Sequence, residues 1–356
     1  MYEISLLVSN HALSLAHIAH SVLLFRDIYL SDLQLVYSNH PDTENTLFFD
    51  DLRSTHICYK IIEVLSPFFI MEILLIAQQL IFRNNPEDLI YMNIAIITGA
   101  SSGLGREFAL QICQNYAAEI DEIWLLARRK EPLLALAQEI SATEICVGAA
   151  MPMDITDGEQ MKDFQDKLDI EAPTVKYLVN AAGLAKIGGP FTLHPEELTH
   201  MIDLNCKAAV HMTAICMPHF DKGSRILQIC STAGFQPMQG LNVYAASKAF
   251  LLRYSQALRW ELIGKQIYLT AVCPYWIKDT EFIGVAKDTD NPKAARAVHH
   301  FPLASKTKSV VRLALLDNKL GLWVSTPGPV CFVHRLFCKI MPPVVAMGWW
   351  ELLRRV

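Results

Sequence analysis

"NIAIITGASSGLGREFALQI", residues 93–112, decides how the chain folds. It opens on a short apolar run, turns through Gly99, Gly103 and Gly105, and continues with Leu104, Phe108 and Ile112 at helical spacing. That order predicts a strand, a tight turn and a helix. The spacing Gly99-x-x-x-Gly103-x-Gly105 suits a backbone that must approach a pyrophosphate at a helix N-terminus, where free N–H groups and the helix dipole favour an anion. A side chain at Gly103 would obstruct the approach. The same glycines would also serve an ordinary βα turn, so the surrounding chain has to decide.

Outward from this stretch, apolar runs and helical patterns keep alternating. "EIWLLA" (122–127) leads into a helix, "CVGAAMPMDIT" reaches Asp154 and Ile155, and "VKYLVNAAG" ends in Asn180, Ala181, Ala182 and Gly183. "RILQICSTAG" ends near Ser231 and "IYLTAVCPYW" reaches Pro274, with helices expected at about 158–168, 195–219 and 242–264. Such alternation predicts an α/β fold, a Rossmann-type doubly wound parallel sheet with helices on both faces, whose ligands bind at the carboxyl ends of the strands. The residue ending the second strand selects the cofactor. An acidic residue there would bind an adenosine ribose hydroxyl, but this chain has Ala127 followed by Arg128, Arg129 and Lys130. Guanidinium groups suit a ribose 2′-phosphate, so NADP(H) is expected rather than NAD. Cations at a helix start are otherwise unfavourable unless an anion sits there.

The stretch "NVYAASKAFL" (242–251) sets Tyr244 and Lys248 four residues apart, on one face of a helix. Taken with Thr98 to Gly105, Asp154, Asn180 to Gly183, Asn205 and Ser231, this pair resembles the motif set of the short-chain dehydrogenase/reductase family, in order and spacing, over nearly all of residues 93–280. The resemblance implies an NADP(H)-dependent oxidoreductase with a catalytic tetrad of Asn205, Ser231, Tyr244 and Lys248. A free tyrosine titrates at about 10, and positive charge from Lys248 and oxidised nicotinamide would favour its phenolate. Tyr244 would give a proton to the alkoxide formed as NADPH reduces a carbonyl, with Ser231 bonded to the same oxygen. By the same resemblance, Asn205 would hold a water that links Lys248 to solvent.

The cofactor contacts implied are Gly99, Ser101, Ser102, Gly103, Leu104, Gly105, Arg128, Arg129, Asp154, Ile155, Asn180, Ala181, Ala182, Gly183, Tyr244, Lys248, Pro274 and Ile277; Thr280 is a further candidate. The family commonly has Pro-Gly after the sixth strand, whereas "CPYWIKDTEF" places Tyr275 there, so the loop must differ locally or Tyr275 must shape the pocket. The segment of about 275–306 is expected to hold substrate specificity. Its Tyr275, Trp276, Phe282, Ile283, Val285 and Phe301, with Phe235, Met238 and Leu241 near Ser231, suit a small hydrophobic ketone or secondary alcohol. A membrane-associated 3-ketoacyl or hydroxysteroid reductase, and a non-catalytic NADPH-binding module, are the alternatives.

Composition bounds these readings. A net charge of −5 over 356 residues gives no general attraction to nucleic acid. Nine cysteines, odd in number and never in a Cys-x-x-Cys spacing, argue against a disulfide framework or zinc cluster, and no metal is expected. A reducing, cytoplasmic setting fits, with a homo-oligomer, dimer or tetramer, expected from the family. Residues 1–91 differ in kind: no glycine occurs before Gly99, and four Lys and Arg face eleven Asp and Glu. The expected organisation is therefore an N-terminal extension, 1–91, read as an upstream segment foreign to the native chain, and a single domain, 92–356. In the extension, "VLSPFFIMEILLIAQQLIF" (64–82) is long enough to span a membrane but carries Glu72 at its centre. The tail "CFVHRLFCKIMPPVVAMGWWELLRRV" mixes apolar and basic residues and is expected to pack on the domain, with a membrane-surface role, a subunit contact or a lid on the pocket as alternatives.

Overall fold

Successive side chains of a strand point to opposite faces, and the first strand shows what this does to an unbroken apolar run. In β1 (Asn93–Thr98), Ala95 and Ile97 pack into one buried cluster while Ile94 and Ile96 pack into another. A strand buried on both faces is the mark of a parallel sheet covered by helices twice over. Each fully buried Ile or Leu contributes about 1.5–3 kcal/mol. The computed structural model describes residues 92–289 and 303–355, which belong to one compact unit, Ile90–Val356. The expectations placed on residues 1–91, including the stretch 64–82, and on Phe301 lie outside the described residues.

Seven strands pair in parallel in the order β3-β2-β1-β4-β5-β6-β7. They are β1, β2 (Glu122–Ala127), β3 (Val147–Pro152), β4 (Thr174–Asn180), β5 (Arg225–Ile229), β6 (Tyr268–Val272) and β7 (Val324–Ser325). Helices α1 (Gly103–Tyr116), α2 (Lys130–Ser141), α3 (Gly158–Glu171), α4 (Pro195–Ile202), α5 (Ala209–Cys216) and α6 (Asn242–Leu262) connect the first six. A short α7 (Phe282–Lys287) and α8 (Thr307–Lys319) follow β6. Phe108 of α1, Leu136 of α2 and Val311 of α8 cover one face, and Phe164 of α3, Met212 of α5 and Leu262 of α6 the other. This is the doubly wound Rossmann-type fold. Its order reverses between β1 and β4, and the connections leaving those two strands part to form a crevice at their carboxyl ends.

One expected element is divided. Residues 195–219 form α4, a π-helical turn at Asp203–Ala208, α5 and a final 3₁₀ turn, where the sequence pattern reads as one helix. Beyond β7, the tail forms α9 (Pro329–Ile340) and α10 (Pro343–Arg355), parted at Met341-Pro342. Trp350 of α10 is buried, donates its indole N–H to the carbonyl of Gln239 at 3.0 Å, and packs into the cluster that contains Met238, Leu241 and Tyr244.

Candidate active site

The connection from β1 to α1 is set by close backbone approach. Gly99 has φ of 69°, and a Cβ there would stand 2.9 Å from the backbone of Ala182. The Thr98 hydroxyl accepts from the Ala182 N–H at 3.0 Å, fastening the ends of β1 and β4 side by side. A Cβ on Gly105 would lie 2.3 Å from the Gly99 carbonyl oxygen, so α1 can seat against the turn only with glycine there. Gly103, with φ of 54°, serves openness: a Cβ would meet only the Thr280 side chain, at 3.4 Å. Ser102 caps α1 with no side-chain bond, leaving the first amides of the helix turned to the crevice.

The crevice continues into a cavity of about 970 Å³. Of the residues expected to hold a cofactor, Gly99, Ser101 to Gly105, Arg128, Arg129, Asp154, Ile155, Ala181 to Gly183, Pro274 and Ile277 all line it, as does Thr280. Asn180 does not: it is buried behind the wall, donating to the Thr213 hydroxyl at 3.0 Å. Arg129 pairs with Glu281 at 2.9 Å and reaches Ser101, while Arg128 lies 3.8 Å from Asp154. Burial alone would raise the Asp154 carboxyl, but bonds from the Thr156 hydroxyl and amide, helped by Arg128, outweigh it and hold the pKa below the usual carboxylate value.

Ser231, Tyr244 and Lys248 line the inner part of the same cavity. Ser231 follows β5 and accepts from the Ala233 N–H at 3.1 Å. Helix α6 carries Tyr244 and Lys248 one turn apart, both buried. The Lys248 ammonium donates to the Ile229 carbonyl at 2.8 Å and stands 5.9 Å from the centre of the Tyr244 ring. Burial pushes the Tyr244 phenol up to about 12, with its hydrogen bond to Ser231 acting the other way. Burial also draws the Lys248 ammonium below its usual value.

Asn205 lies in the π-helical turn, off the cavity wall. Its amide donates to the Leu184 carbonyl at 2.8 Å and the Ser247 hydroxyl at 3.0 Å, and its oxygen accepts from the Leu184 N–H at 2.9 Å. The extra residue of a π turn aims that side chain inward, a device common at functional sites. Where a Cβ of Gly183 would stand, Asn205 Oδ1 is 3.0 Å away and Lys248 Nζ 3.2 Å, so the two flank one small space.

Of the residues proposed for the substrate side, Tyr275, Trp276, Phe282, Val285 and Met238 line the cavity wall, Leu241 is buried in the cluster beneath it, and Phe235 and Ile283 are not on the wall. Tyr275 keeps a negative φ and packs edge-on against Trp276 and His334, each with ring centres 6.3 Å apart. It shapes the pocket where the family commonly has glycine. The tail supplies the wall that the sequence reading left open: Val330, Val333, His334 and Phe337 of α9, with Trp349, Trp350 and Leu353 of α10. Their spacing was the available signal.

Comparisons with known proteins bear on the family and the fold. A family model for short chain dehydrogenase matches residues 93–291. Sulfoacetaldehyde reductase 2 of Chromohalobacter salexigens is 35% identical over 254 residues, 70% of this chain and 94% of that protein. An NADP-dependent 3-hydroxy acid dehydrogenase of Salmonella typhi is 31% identical over 206 residues, 57% of this chain and 80% of that one. Among solved structures, a short-chain dehydrogenase from Sphingobium yanoikuyae in complex with NADPH superposes with a TM-score of 0.57 at 26% identity, covering 70% of this chain and 97% of the other. With the matched span running from the first residue of β1 through the Tyr244 helix and past α7, the chain belongs to the short-chain dehydrogenase/reductase family.

Proposed function

We propose that the protein is an NADP(H)-dependent oxidoreductase interconverting a hydrophobic ketone and its secondary alcohol. The observation that carries this reading is the joining, in one cavity, of a glycine cradle at one end, Ser231, Tyr244 and Lys248 inside, and an apolar wall beyond. The residues at hand fit the dinucleotide. Gly103 leaves open space over the uncapped start of α1, Arg128 and Arg129 stand at the rim, and the position that would reject a 2′-phosphate is Ala127. The phosphates would lie on Ser101 to Gly105, the adenine against Asp154 and Ile155, and the nicotinamide half along Ala181 to Gly183. When bound, the cofactor supplies or accepts the hydride.

The side chains do the rest. Tyr244 transfers a proton to or from the substrate oxygen, Ser231 donates a hydrogen bond to that oxygen as charge develops, and Lys248 keeps positive charge beside the phenol. Lys248 and Asn205 approach each other beside Gly183, and a water bridging them would be the route by which the proton is replaced. A non-catalytic binding module would not need Ser231, Tyr244 and Lys248 together. The test is NADPH and NADH oxidation by the full chain over a panel of hydrophobic ketones, with Tyr244→Phe alongside. Turnover favouring NADPH is expected, falling about 100-fold or more in the variant, the range of general acid catalysis. Tight NADPH binding without turnover, unchanged by the substitution, would replace the reductase reading with the sensor reading.

A further inference from the structure

Helices α9 and α10 each carry apolar residues on two faces. Inward lie Val330, His334 and Phe337 of α9 and Ala346, Trp350 and Leu353 of α10, spaced by three and four residues. Outward lie Phe332, Val333, Leu336 and Ile340, then Val344, Val345, Trp349 and Leu352, at the same helical periods and all exposed. Ile340 is 66% exposed, Val344 76% and Leu352 63%. Isolated apolar residues on a surface need no explanation, but eight on the joined faces of two consecutive helices do.

Two further observations fix what covers this face. First, Val333 and Trp349 are exposed outward and also line the cavity, so the cavity opens through the patch itself. Second, the patch is bordered by Arg335 and Lys339, one turn apart on α9, and neither has an ion-pair partner among the described residues. The carboxylate on the neighbouring helix, Glu351, is bound by Arg354 through both oxygens, so the free charge at the rim is positive. Two copies meeting through this face would press like charges together. An anionic lipid surface would receive both the charges and the apolar residues. At 12 and 13 residues the helices are too short to cross a bilayer, and among the described residues no helix is long and apolar enough to do so.

We propose that the outward face of α9 and α10 docks the protein on anionic membrane, lying in the plane of the interface, and that an apolar substrate passes from the lipid directly into the cavity. The passage of substrate rests on the reductase reading; the docking does not. The geometry is that of an interfacial amphipathic helix pair, with Trp349 at headgroup depth and Lys339 reaching for phosphate.

The test is flotation of the full chain with vesicles of phosphatidylcholine alone and of phosphatidylcholine mixed with phosphatidylserine. Wild type is compared with the triple variant Leu336→Ser, Ile340→Ser, Val344→Ser and with Lys339→Glu, after thermal unfolding and light scattering without lipid. Wild type is expected to float with the anionic vesicles, and the triple variant to lose at least about tenfold in partition, three buried side chains being removed. Lys339→Glu is expected to lose about fivefold to thirtyfold on anionic vesicles and little on neutral ones. Equal flotation of wild type and both variants, or none by wild type, overturns the proposal. So does a wild-type dimer that the triple variant splits into monomers, which would make this face a contact between copies. None of these readouts needs turnover, so a failed ketone assay leaves them readable.

Discussion

Burial holds the Tyr244 proton well beyond neutrality when no positive ligand is near, since the phenol is pushed up to about 12 against a usual value of about 10. A folded pKa above the unfolded one contributes stability that is complete below pH of about 10 and is lost as the pH rises through about 12. Difference titration of phenolate absorbance between wild type and Tyr244→Phe should therefore show no Tyr244 ionisation near 10 in cofactor-free protein. Saturating NADP+ should move that ionisation downward, because added positive charge favours the phenolate. An unmoved titration would mean that Tyr244 does not face the cofactor's charge. Beside it, Gly183 makes a second residue-scale prediction. An alanine Cβ there would stand 3.0 Å from Asn205 Oδ1 and 3.2 Å from Lys248 Nζ, crowding the two groups between which the proton is proposed to be relayed. Gly183→Ala should lower kcat about tenfold and alter its pH profile while leaving the ketone KM nearly unchanged, because it slows the resupply of the proton without removing the general acid itself, whose loss costs about 100-fold or more. A matching rise in KM would point to displaced substrate instead.

The β1–α1 element is where sequence and structure speak most directly to each other. An apolar run, three glycines and a helical period are all local signals, and each glycine has its own steric reason. Gly105 is the strictest, because a Cβ would lie 2.3 Å from the Gly99 carbonyl oxygen, and backbone cannot yield as a flexible side chain can. Gly105→Ala should cost about 1–3 kcal/mol, the usual penalty for overpacking, and weaken NADPH binding further by tilting α1 off the crevice. Thermal unfolding with and without NADPH separates the two losses. Gly103→Ala meets only the Thr280 side chain but must hold a φ of 54°, so its loss, about 1–2 kcal/mol, should come from backbone strain and not from displacement of α1. The π turn at Asp203–Ala208 was not legible in the same way. No Gly or Pro marks it, and it is held by Asn205 bonding to Leu184, 21 residues away, and to Ser247, 42 away. Asn180 was misread as lining for a related reason: sequence places it at the strand end but cannot say that its side chain turns back toward Thr213. The tail was expected to pack on the domain, yet apolar residues on both faces of α9 gave no means of choosing which one closed the cavity.

At the scale of the molecule, Tyr244 and the last tail helix share one core. Trp350, the last large buried side chain among the described residues, packs with Tyr244, Leu241, Met238 and Ala286, and its indole N–H holds the Gln239 carbonyl. The Rossmann sheet with its glycine cradle lies in separate clusters built on Phe108 and Trp124. The far wall of the cavity can therefore loosen without disturbing the near one. Trp350→Ala removes a buried aromatic side chain and leaves a carbonyl unpaired, changes that together cost about 3–5 kcal/mol in a fully packed site and somewhat less beside a cavity that can relax. The expected result is a lowered Tm, a KM raised about tenfold for bulky apolar ketones and scarcely altered for small ones, and an unchanged NADPH Kd. The size dependence is the informative part, since a small ketone needs only Ser231 and Tyr244 whereas a large one must also lean on the tail. Equal losses for every ketone, or a weakened NADPH Kd, would show that α10 acts on the whole site through Tyr244 and not as a local wall.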